Sequence, residues 1–239
     1  NDLLIFSADG ATDPCIFGID KKNGDLRWKT IRTSRTKKNF SFCTPLVVST
    51  GGGVQIISPA SDYVFSYSLD GKEIWKFNYP GGYSVVPRPV IYNGMVFVSS
   101  GYDMPTLYAL AIDGVGNVTE SKLIWKTSKS VPRNSSIIVV DNLLFMAADN
   151  GVISCLDVKN GKTHWIERVG GSCSSSLLHA KGLIYFTDET GKTFVFEAKK
   201  SYSLLAVNDL KERTLASLMA YDGSVVVRTE KAVYRFGNQ

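Results

Sequence analysis

This chain of 239 residues contains two histidines and four cysteines, the residue types that most often act as bases, nucleophiles or zinc ligands. His164 and His179 could serve as bases or bind zinc, but neither has a Cys, Asp or Glu partner at the spacing of zinc motifs. The cysteines include no C-x-x-C pair, and they are Cys15, Cys43, Cys155 and Cys173. Four cysteines permit three disulfide pairings among which a sequence cannot choose, and we expect free, half-buried thiols. The chain also lacks the G-x-S-x-G, P-loop, G-x-G-x-x-G and EF-hand signatures.

A basic segment near the start suggests a different chemistry, the binding of a polyanion. The chain carries a formal net charge of +5, and residues 27–38 hold six cations and no acid, namely Arg27, Lys29, Arg32, Arg35, Lys37 and Lys38. Such a cluster can bind nucleic acid or another polyanion. No nucleic-acid motif or interleaved aromatic residue accompanies it, so we interpret the segment as a solvated loop and expect no nucleic-acid partner.

A repeated motif organises the whole chain. A glycine precedes a tryptophan by four residues in three copies, which are Gly24 with Trp28, Gly71 with Trp75, and Gly161 with Trp165. Trp125 ends a further copy that contains an insertion, and in the copy after Trp165 the same offset falls on Ser201 and Leu205. A period of about 40 to 50 residues is typical of propeller blades with four strands.

The segments before each tryptophan indicate strands joined by tight turns. Runs rich in Val, Ile, Leu and aromatic residues alternate with Asp-Asn, Asn-Gly and Gly-Lys pairs, and no sustained helical period interrupts them. The sequence therefore predicts a single all-β domain, a propeller of four-stranded antiparallel blades. The predicted blades cover residues 1–30, 40–78, 83–128, 132–169, 173–208 and 213–239.

The first predicted blade lacks its innermost strand and the last lacks its outermost strand. Four complete and two incomplete blades do not close into a ring, so we expect a part of a longer propeller of seven or eight blades, with N-terminal blades missing. No apolar run reaches the roughly 18 residues of a membrane span, and no export signal is visible.

The D/E-x-x-x-G-x-x-x-W pattern resembles the PQQ-like β-propeller superfamily, as in GVISCLDVKNGKTHW at residues 151–165. That superfamily includes quinoprotein alcohol dehydrogenases and the propeller lipoprotein of the outer-membrane β-barrel assembly machinery. Stretches such as YPGGYSVVPRPV are similar to a branch of secreted bacterial repeat proteins. The resemblance implies a secreted or periplasmic chain that binds a protein or a cell-envelope component.

The dehydrogenases of the superfamily hold their quinone between a tryptophan and a disulfide of adjacent cysteines, beside a calcium ion. This chain has no adjacent cysteines, and its tryptophans recur once per blade as docking residues would. We therefore expect neither quinone nor calcium, no metal site and no catalytic residue. The alternatives are a quinone-dependent dehydrogenase and a carbohydrate- or polyanion-binding module.

Residues just before each first strand should gather at one face of a propeller, where loops often carry binding residues. The candidates share this placement or lie in a loop after a second strand, and they are Tyr83, Arg88, Tyr102, Asp103, Arg133 and Arg213. Three guanidinium groups around one end of the central channel would favour a carboxylate or phosphate. The competing interpretation is that these side chains fill turns or pair with local acids.

Overall fold

The computed structural model describes residues 2–10, 12–34, 36 and 38–237, and within these ranges the chain forms strands and connections but no helix. In this part of the chain there is thus no helix that could span a membrane. Two compact units divide the chain, Asn1–Ser128 and Lys129–Gln239. The expectation of one domain stays a prediction.

The first unit contains three sheets made of strands that follow one another along the chain. The first sheet has the strands β1 (Leu3–Ala8), β2 (Cys15–Asp20) and β3 (Leu26–Ile31). The second has β4 (Leu46–Thr50), β5 (Gly53–Pro59), β6 (Tyr63–Tyr67) and β7 (Glu73–Asn78). The third has β8 (Val90–Tyr92), β9 (Met95–Ser99), β10 (Leu107–Ala111) and β12 (Leu123–Thr127), and β11 (Gly116–Asn117) lies between the last two in sequence.

The second unit continues the same pattern. The fourth sheet has β13 (Ile138–Val140), β14 (Leu143–Ala147), β15 (Val152–Asp157) and β16 (Thr163–Arg168). The fifth has β17 (Leu178–Ala180), β18 (Leu183–Thr187), β19 (Lys192–Glu197) and β20 (Leu204–Asp209). The sixth has β21 (Met219–Tyr221), β22 (Ser224–Arg228) and β23 (Val233–Phe236). Over the described residues the predicted four-stranded blades are confirmed, with three strands in the first and last.

One strand was not predicted. β11 lies in the insertion of the third blade but pairs in parallel with β7 of the second, with Gly116 opposite Trp75 and Asn117 opposite Lys76. Val118 then donates its N–H to the Lys76 carbonyl over 2.9 Å and buries its side chain in the core. The insertion therefore adds a fifth strand to the outer edge of the second blade.

The tryptophans connect successive sheets, as the motif predicts. The indole Nε1 of Trp28 donates to the Leu69 carbonyl of the second sheet over 2.8 Å, and that of Trp75 donates to the Ile112 carbonyl beyond β10 over 3.1 Å. Trp165 donates to the Lys199 carbonyl of the fifth sheet over 3.1 Å. Each indole thus covers apolar surface and satisfies its one donor in the next blade.

The tryptophans are not equally buried. Trp75 is fully buried, and Trp125 and Trp165 are nearly so, whereas Trp28 is only partly buried. From Arg27 to Ile31 the side chains of β3 alternate between exposed and partly buried positions, and Trp28 takes one of the partly buried ones.

One of the motif glycines, Gly71, has a packing role beyond the turn. Gly24, Gly71 and Gly161 all have positive φ, which favours glycine. At Gly71 a Cβ atom would also lie 2.5 Å from Cε3 of Trp28. Gly71 of the second blade therefore makes room for Trp28 of the first.

A bulge fixes which residue faces the next blade. In the fourth sheet Trp165 pairs with Cys155 and the register then shifts, which leaves His164 at the bulge. In the fifth sheet Ala206 pairs with Val195 before the same shift, so Leu205 occupies the bulge. The predicted equivalence of Leu205 with the tryptophans is therefore wrong, and Ala206 takes that place.

The shift has a simple cause in the turn before the outer strand. In the fifth sheet six residues, 198–203, join β19 to β20. In the fourth sheet five residues, 158–162, join β15 to β16. The longer turn carries Tyr202, whose ring lies 5.2 Å from that of Trp165 between centroids. Tyr202 covers the tryptophan of the fourth blade, and the fifth blade provides no tryptophan of its own.

We expect Trp165→Ala to lower the free energy of unfolding by about 3–5 kcal/mol, because it empties a buried position between two blades. Leu205→Ala should change it by less than about 0.5 kcal/mol, since Leu205 is 55% exposed at the bulge. Urea denaturation of both variants measures the two values. A large loss from Leu205→Ala would contradict the register described here.

The four cysteines are free and buried, which confirms free thiols and corrects the expectation of half-burial. Burial raises the pKa of Cys43 and of Cys155 from 9.0 to about 12, and that of Cys173 to about 11. A rise from 9.0 to about 12 lowers the thiolate population on the order of a thousandfold at neutral pH. The folded thiols should therefore be poor nucleophiles.

A disulfide reagent at pH 8 should modify the four thiols much more slowly in the folded protein than in denaturant, where all four react. The thiolate fraction and the access of the reagent are both lower in the fold. Absorbance of the released thiolate gives the two rates, and equal rates would refute the buried placement.

Candidate functional site

The segments that hold the predicted binding residues are hydrogen-bonded to one another at one end of each blade. The segment that enters a first strand lies beside the loop between a second and a third strand. Tyr102 donates its N–H to the Tyr83 carbonyl over 2.9 Å, and Glu230 donates to the Arg213 carbonyl over the same distance. These bonds hold the loops on the rigid sheets, so their side chains are positioned for recognition.

The three candidate arginines lie in separate blades. The backbone N–H of Arg133 donates to the Asp149 carboxylate over 3.2 Å, and Nη2 of Arg213 lies 4.0 Å from a Glu189 oxygen. Arg88 is exposed ahead of β8. Arg88 belongs to the first unit and the other two to the second, so their convergence on one mouth stays a prediction.

The other three candidates lie together in the first unit and join a row of aromatic rings. The ring centroids of Tyr83 and Tyr102 are 5.9 Å apart. The ring of Phe40 lies 5.7 Å from that of Tyr83 and 6.0 Å from that of Phe42, again between centroids. We call this row, formed by Phe40, Phe42, Tyr83 and Tyr102, the aromatic ridge. Phe42 is 68% exposed and Tyr102 is 49% exposed, so apolar surface remains in contact with water.

Two backbone hydrogen bonds make the aromatic ridge rigid. Phe42 donates its N–H to the Val85 carbonyl over 2.9 Å, and Ser84 donates to the Phe40 carbonyl over 2.9 Å. The connection between β3 and β4 is thus joined to the connection between β7 and β8. The backbone beneath the rings is therefore held by hydrogen bonds from both connections.

A polar cluster borders the aromatic ridge. Lys38 Nζ donates to the Tyr83 hydroxyl over 2.8 Å and to Asp103 over 3.2 Å, and the Tyr83 hydroxyl donates to Asp103 over 2.9 Å. The ammonium group also lies 4.0 Å from the centroid of the Tyr83 ring. The hydrogen bond that Lys38 donates to Tyr83, and then the one that it donates to Asp103, raise the pKa of Lys38.

A cleft of about 270 Å³ opens beside this cluster, lined by Thr36, Lys38, Asp62, Gly81, Gly82, Tyr83 and Asp103. Close packing of its walls depends on glycine, because a Cβ atom on Gly82 would lie 2.8 Å from the Ser100 carbonyl oxygen. Lys38 and Asp103 balance each other in charge, and Asp62, which accepts the N–H of Gly81 over 2.7 Å, adds one carboxylate to the cleft. The ridge therefore suits an apolar segment, and the cleft beside it has an excess of negative charge.

Sequence reasoning found Tyr83, Tyr102 and Asp103 but missed Phe40 and Phe42. The available signal was the pattern F-S-F at residues 40–42, two large apolar residues in a connection that is otherwise polar. A loop phenylalanine has no turn to make, so its presence indicates either a core anchor or a contact surface. The sequence indicates Lys38 only as one of the six cations of the basic segment.

The described members of that basic segment are paired within the chain. Arg27 donates to Asp20 over 2.6 Å, and Lys29 lies over the ring of Phe17 at 5.6 Å. Arg32 is fully buried, with Nη1 bonded to both oxygens of a buried Asp9. Arg35 and Lys37 lie outside the described residues. A solvated loop is therefore the wrong interpretation for Arg32, which is structural.

Arg32 connects the first two blades. Arg32 follows β3 and Asp9 follows β1, so both belong to the first blade. Nη2 of Arg32 donates to the Ser58 hydroxyl on β5 of the second blade. The guanidinium carbon also lies 5.7 Å from the centroid of the Phe65 ring on β6. The buried cation thus bonds to groups of both blades through Nη1 and Nη2, while its Nε has no partner among the described residues, and these bonds help to fix the register between the blades.

We expect Arg32→Ala to lower the free energy of unfolding by about 3–5 kcal/mol, because it leaves the Asp9 carboxylate buried without a counterion. Arg27→Ala, which removes an exposed cation four residues from the end of β3, is the matched control and should cost much less. Adding Asp9→Asn to Arg32→Ala should recover part of the loss in urea denaturation. Equal effects of the two arginine variants would refute the structural role of Arg32.

The quinone site that the resemblance would imply does not fit these residues. The cysteines are free and separate, and Trp28, Trp75 and Trp165 are engaged between blades. Across the described ranges no group of three or more His, Cys, Asp or Glu residues could hold a metal ion. No step of a redox mechanism can therefore be derived from them.

Comparison with known proteins agrees with this architecture. The family model described as outer membrane protein assembly factor BamB matches residues 114–233. The assembly factor BamB of Yersinia pestis is 22% identical over 93% of this chain and 68% of its own length. That of Salmonella typhimurium is 24% identical over 95% of this chain and 69% of its own length.

Solved structures extend the likeness to the whole chain. The crystal structure of BamB from Moraxella catarrhalis superposes with a TM-score of 0.72 at 12% identity, over 98% of this chain and 69% of that one. A europium-containing methanol dehydrogenase gives a TM-score of 0.64 at 11% identity, over 88% of this chain and 50% of that one. These likenesses show the fold, and they confirm an all-β propeller of the PQQ-like type.

Proposed function

Because this chain belongs to the outer membrane protein assembly factor BamB family, we propose that it is a non-catalytic propeller that binds a protein partner through the aromatic ridge. The observation that carries the proposal is a row of four rings held in exposed, hydrogen-bonded loops. The names of the relatives support a role in assembling proteins at the outer membrane. We extend the proposal to a location in the bacterial cell envelope, outside the cytoplasm.

The physical case for protein binding rests on the cost of exposed apolar surface. Aromatic side chains contribute most of the binding energy at many interfaces, and contiguous apolar patches on a folded chain mark interaction sites. Beside the aromatic ridge, Met104 is 84% exposed and Val86 is 37% exposed. A partner segment with apolar side chains would cover this surface.

The polar cluster adds direction to such a contact. The Tyr83 hydroxyl and the Asp103 carboxylate are satisfied by Lys38, so they need no partner group in order to be buried. Because the backbone that carries the rings is already hydrogen-bonded, binding would cost little backbone entropy. These features favour a rigid docking surface for an apolar segment.

The alternatives have weaker support. The similarity to a methanol dehydrogenase concerns the fold, and the residues present do not fit a quinone. The polyanion alternative relies on the basic segment, whose Arg27, Lys29, Arg32 and Lys38 are engaged within the chain. We therefore propose that the chain works without quinone, calcium or nucleic acid.

A photo-crosslinking amino acid at position 42 or 102, expressed in the native host, should give a discrete protein adduct. The same residue at position 221 should not, since Tyr221 is similarly exposed but lies on β21 of the second unit. Binding of the partner identified by mass spectrometry is then measured by calorimetry.

We expect Phe42→Ser and Tyr102→Ser to weaken that binding at least about tenfold, with an unchanged melting temperature, because exposed anchors contribute to binding more than to folding. Tyr221→Ser is the matched control and should bind as the wild type does. Crosslinks from position 221 alone, or undiminished binding by both ridge variants, would overturn the proposed surface.

A further inference from the structure

A second cavity lies in the first unit at the outer edge of the second blade, where the inserted β11 pairs with β7. Its volume is about 410 Å³, which is within the range of small-molecule sites. The lining is polar throughout and consists of Tyr63, Asn78, Asn117, Thr119, Glu120 and Ser121. The proposed protein-binding function uses none of these side chains.

Hydrogen bonds within the wall fix how its two amides face the cavity. Asn117 Oδ1 accepts from the N–H of Thr119 over 3.1 Å and from its hydroxyl over 2.7 Å, which leaves the Asn117 NH₂ group as a donor. Asn78 Nδ2 donates to the Asp62 carbonyl over 2.9 Å, which leaves Asn78 Oδ1 as an acceptor. One oriented donor and one oriented acceptor therefore face the same space.

Three further polar groups in the wall have no partner in the chain. Within the described residues, the Tyr63 hydroxyl, the Glu120 carboxylate and the Ser121 hydroxyl make no hydrogen bond or ion pair. Two hydroxyls can each donate and accept, and the carboxylate accepts. Together with the amides they form a mixed set of donors and acceptors around one cavity.

The wall is also rigid, as a binding site requires. The Thr119 hydroxyl accepts the N–H of Asn78 over 3.0 Å, and Lys122 pairs with Asp113 over 2.8 Å at the base of the insertion. The buried side chain of Val118 anchors the segment in the core of the unit. The polar groups are thus held in place before any ligand arrives.

We propose that this cavity binds a saccharide unit. Each sugar hydroxyl donates and accepts one hydrogen bond, which matches a wall of amides, hydroxyls and one carboxylate, and the Tyr63 ring offers apolar surface to the sugar C–H groups. A phosphate or other anion would meet the Glu120 carboxylate and is disfavoured. A divalent cation would find only one carboxylate here and not the several oxygen ligands it needs.

The proposal is tested by nuclear magnetic resonance on the full chain. Titration of ¹⁵N-labelled protein with glucose, galactose or N-acetylglucosamine should shift the side-chain amide signals of Asn78 and Asn117 selectively. A monosaccharide of about 12 to 15 heavy atoms should bind with a Kd on the order of 1 mM. Signals of Asn160, an exposed amide in the second unit, should not move.

Variants separate the site from general weak binding. Glu120→Gln and Tyr63→Phe, which keep size and shape, should each weaken the titration at least about threefold without changing the melting temperature. Glu230→Gln, an exposed carboxylate of the second unit, is the matched control and should leave it unchanged.

Failure to shift the Asn78 and Asn117 amides with any of the three sugars would overturn the proposal. Identical titrations of the wild type, Glu120→Gln and Tyr63→Phe would also overturn it. So would shifts of these amide signals by butylammonium, an organic cation without hydroxyl groups, when the sugars cause none. None of these results bears on the aromatic ridge, so the two proposals fail independently.

Discussion

The indole that leaves one sheet and donates a hydrogen bond to a carbonyl of the next is the interaction on which the rest of the structure depends. A blade of four short strands is apolar on both faces and can bury them only against neighbouring blades. Trp75 provides a large apolar plate and satisfies its N–H beyond β10, so packing and polar satisfaction come from one side chain. The loops that carry the aromatic ridge are positioned only because the sheets beneath them are joined in this way.

The fold could be predicted because this contact recurs in successive blades. The register of the outer strand in each blade could not be predicted. The spacing of Trp28, Trp75 and Trp165 was enough to predict blades, because each copy repeats the same local structure. Counting four residues from Ser201 placed Leu205 in the series, but the longer turn of the fifth blade shifts the bulge and exposes that leucine. Turn length and bulge position are set by backbone hydrogen bonds that a one-dimensional offset does not encode.

The candidate site shows the same limit in another form. Tyr83, Tyr102 and Asp103 could be predicted, because entry segments and loops after second strands follow from the blade pattern. The contacts of Phe40 and Lys38 with Tyr83 could not be predicted, because they come from pairing between two long connections. Arg32 was read as surface charge, since nothing in its neighbourhood in sequence reveals a carboxylate 23 positions earlier. Residues that meet through tertiary contacts between loops leave no periodic signal.

The fifth strand of the second blade has a consequence for the behaviour of the molecule among its own copies. An outer strand ordinarily presents a row of unpaired backbone donors and acceptors, onto which a strand of another molecule can add. β11 occupies that row beside Trp75 and Lys76, and Val118 and Thr119 bond the backbone of Lys76 and Asn78 just beyond it. The second blade is thereby closed to intermolecular sheet growth along this edge, which protects a segment rich in aromatic and β-branched residues from aggregation.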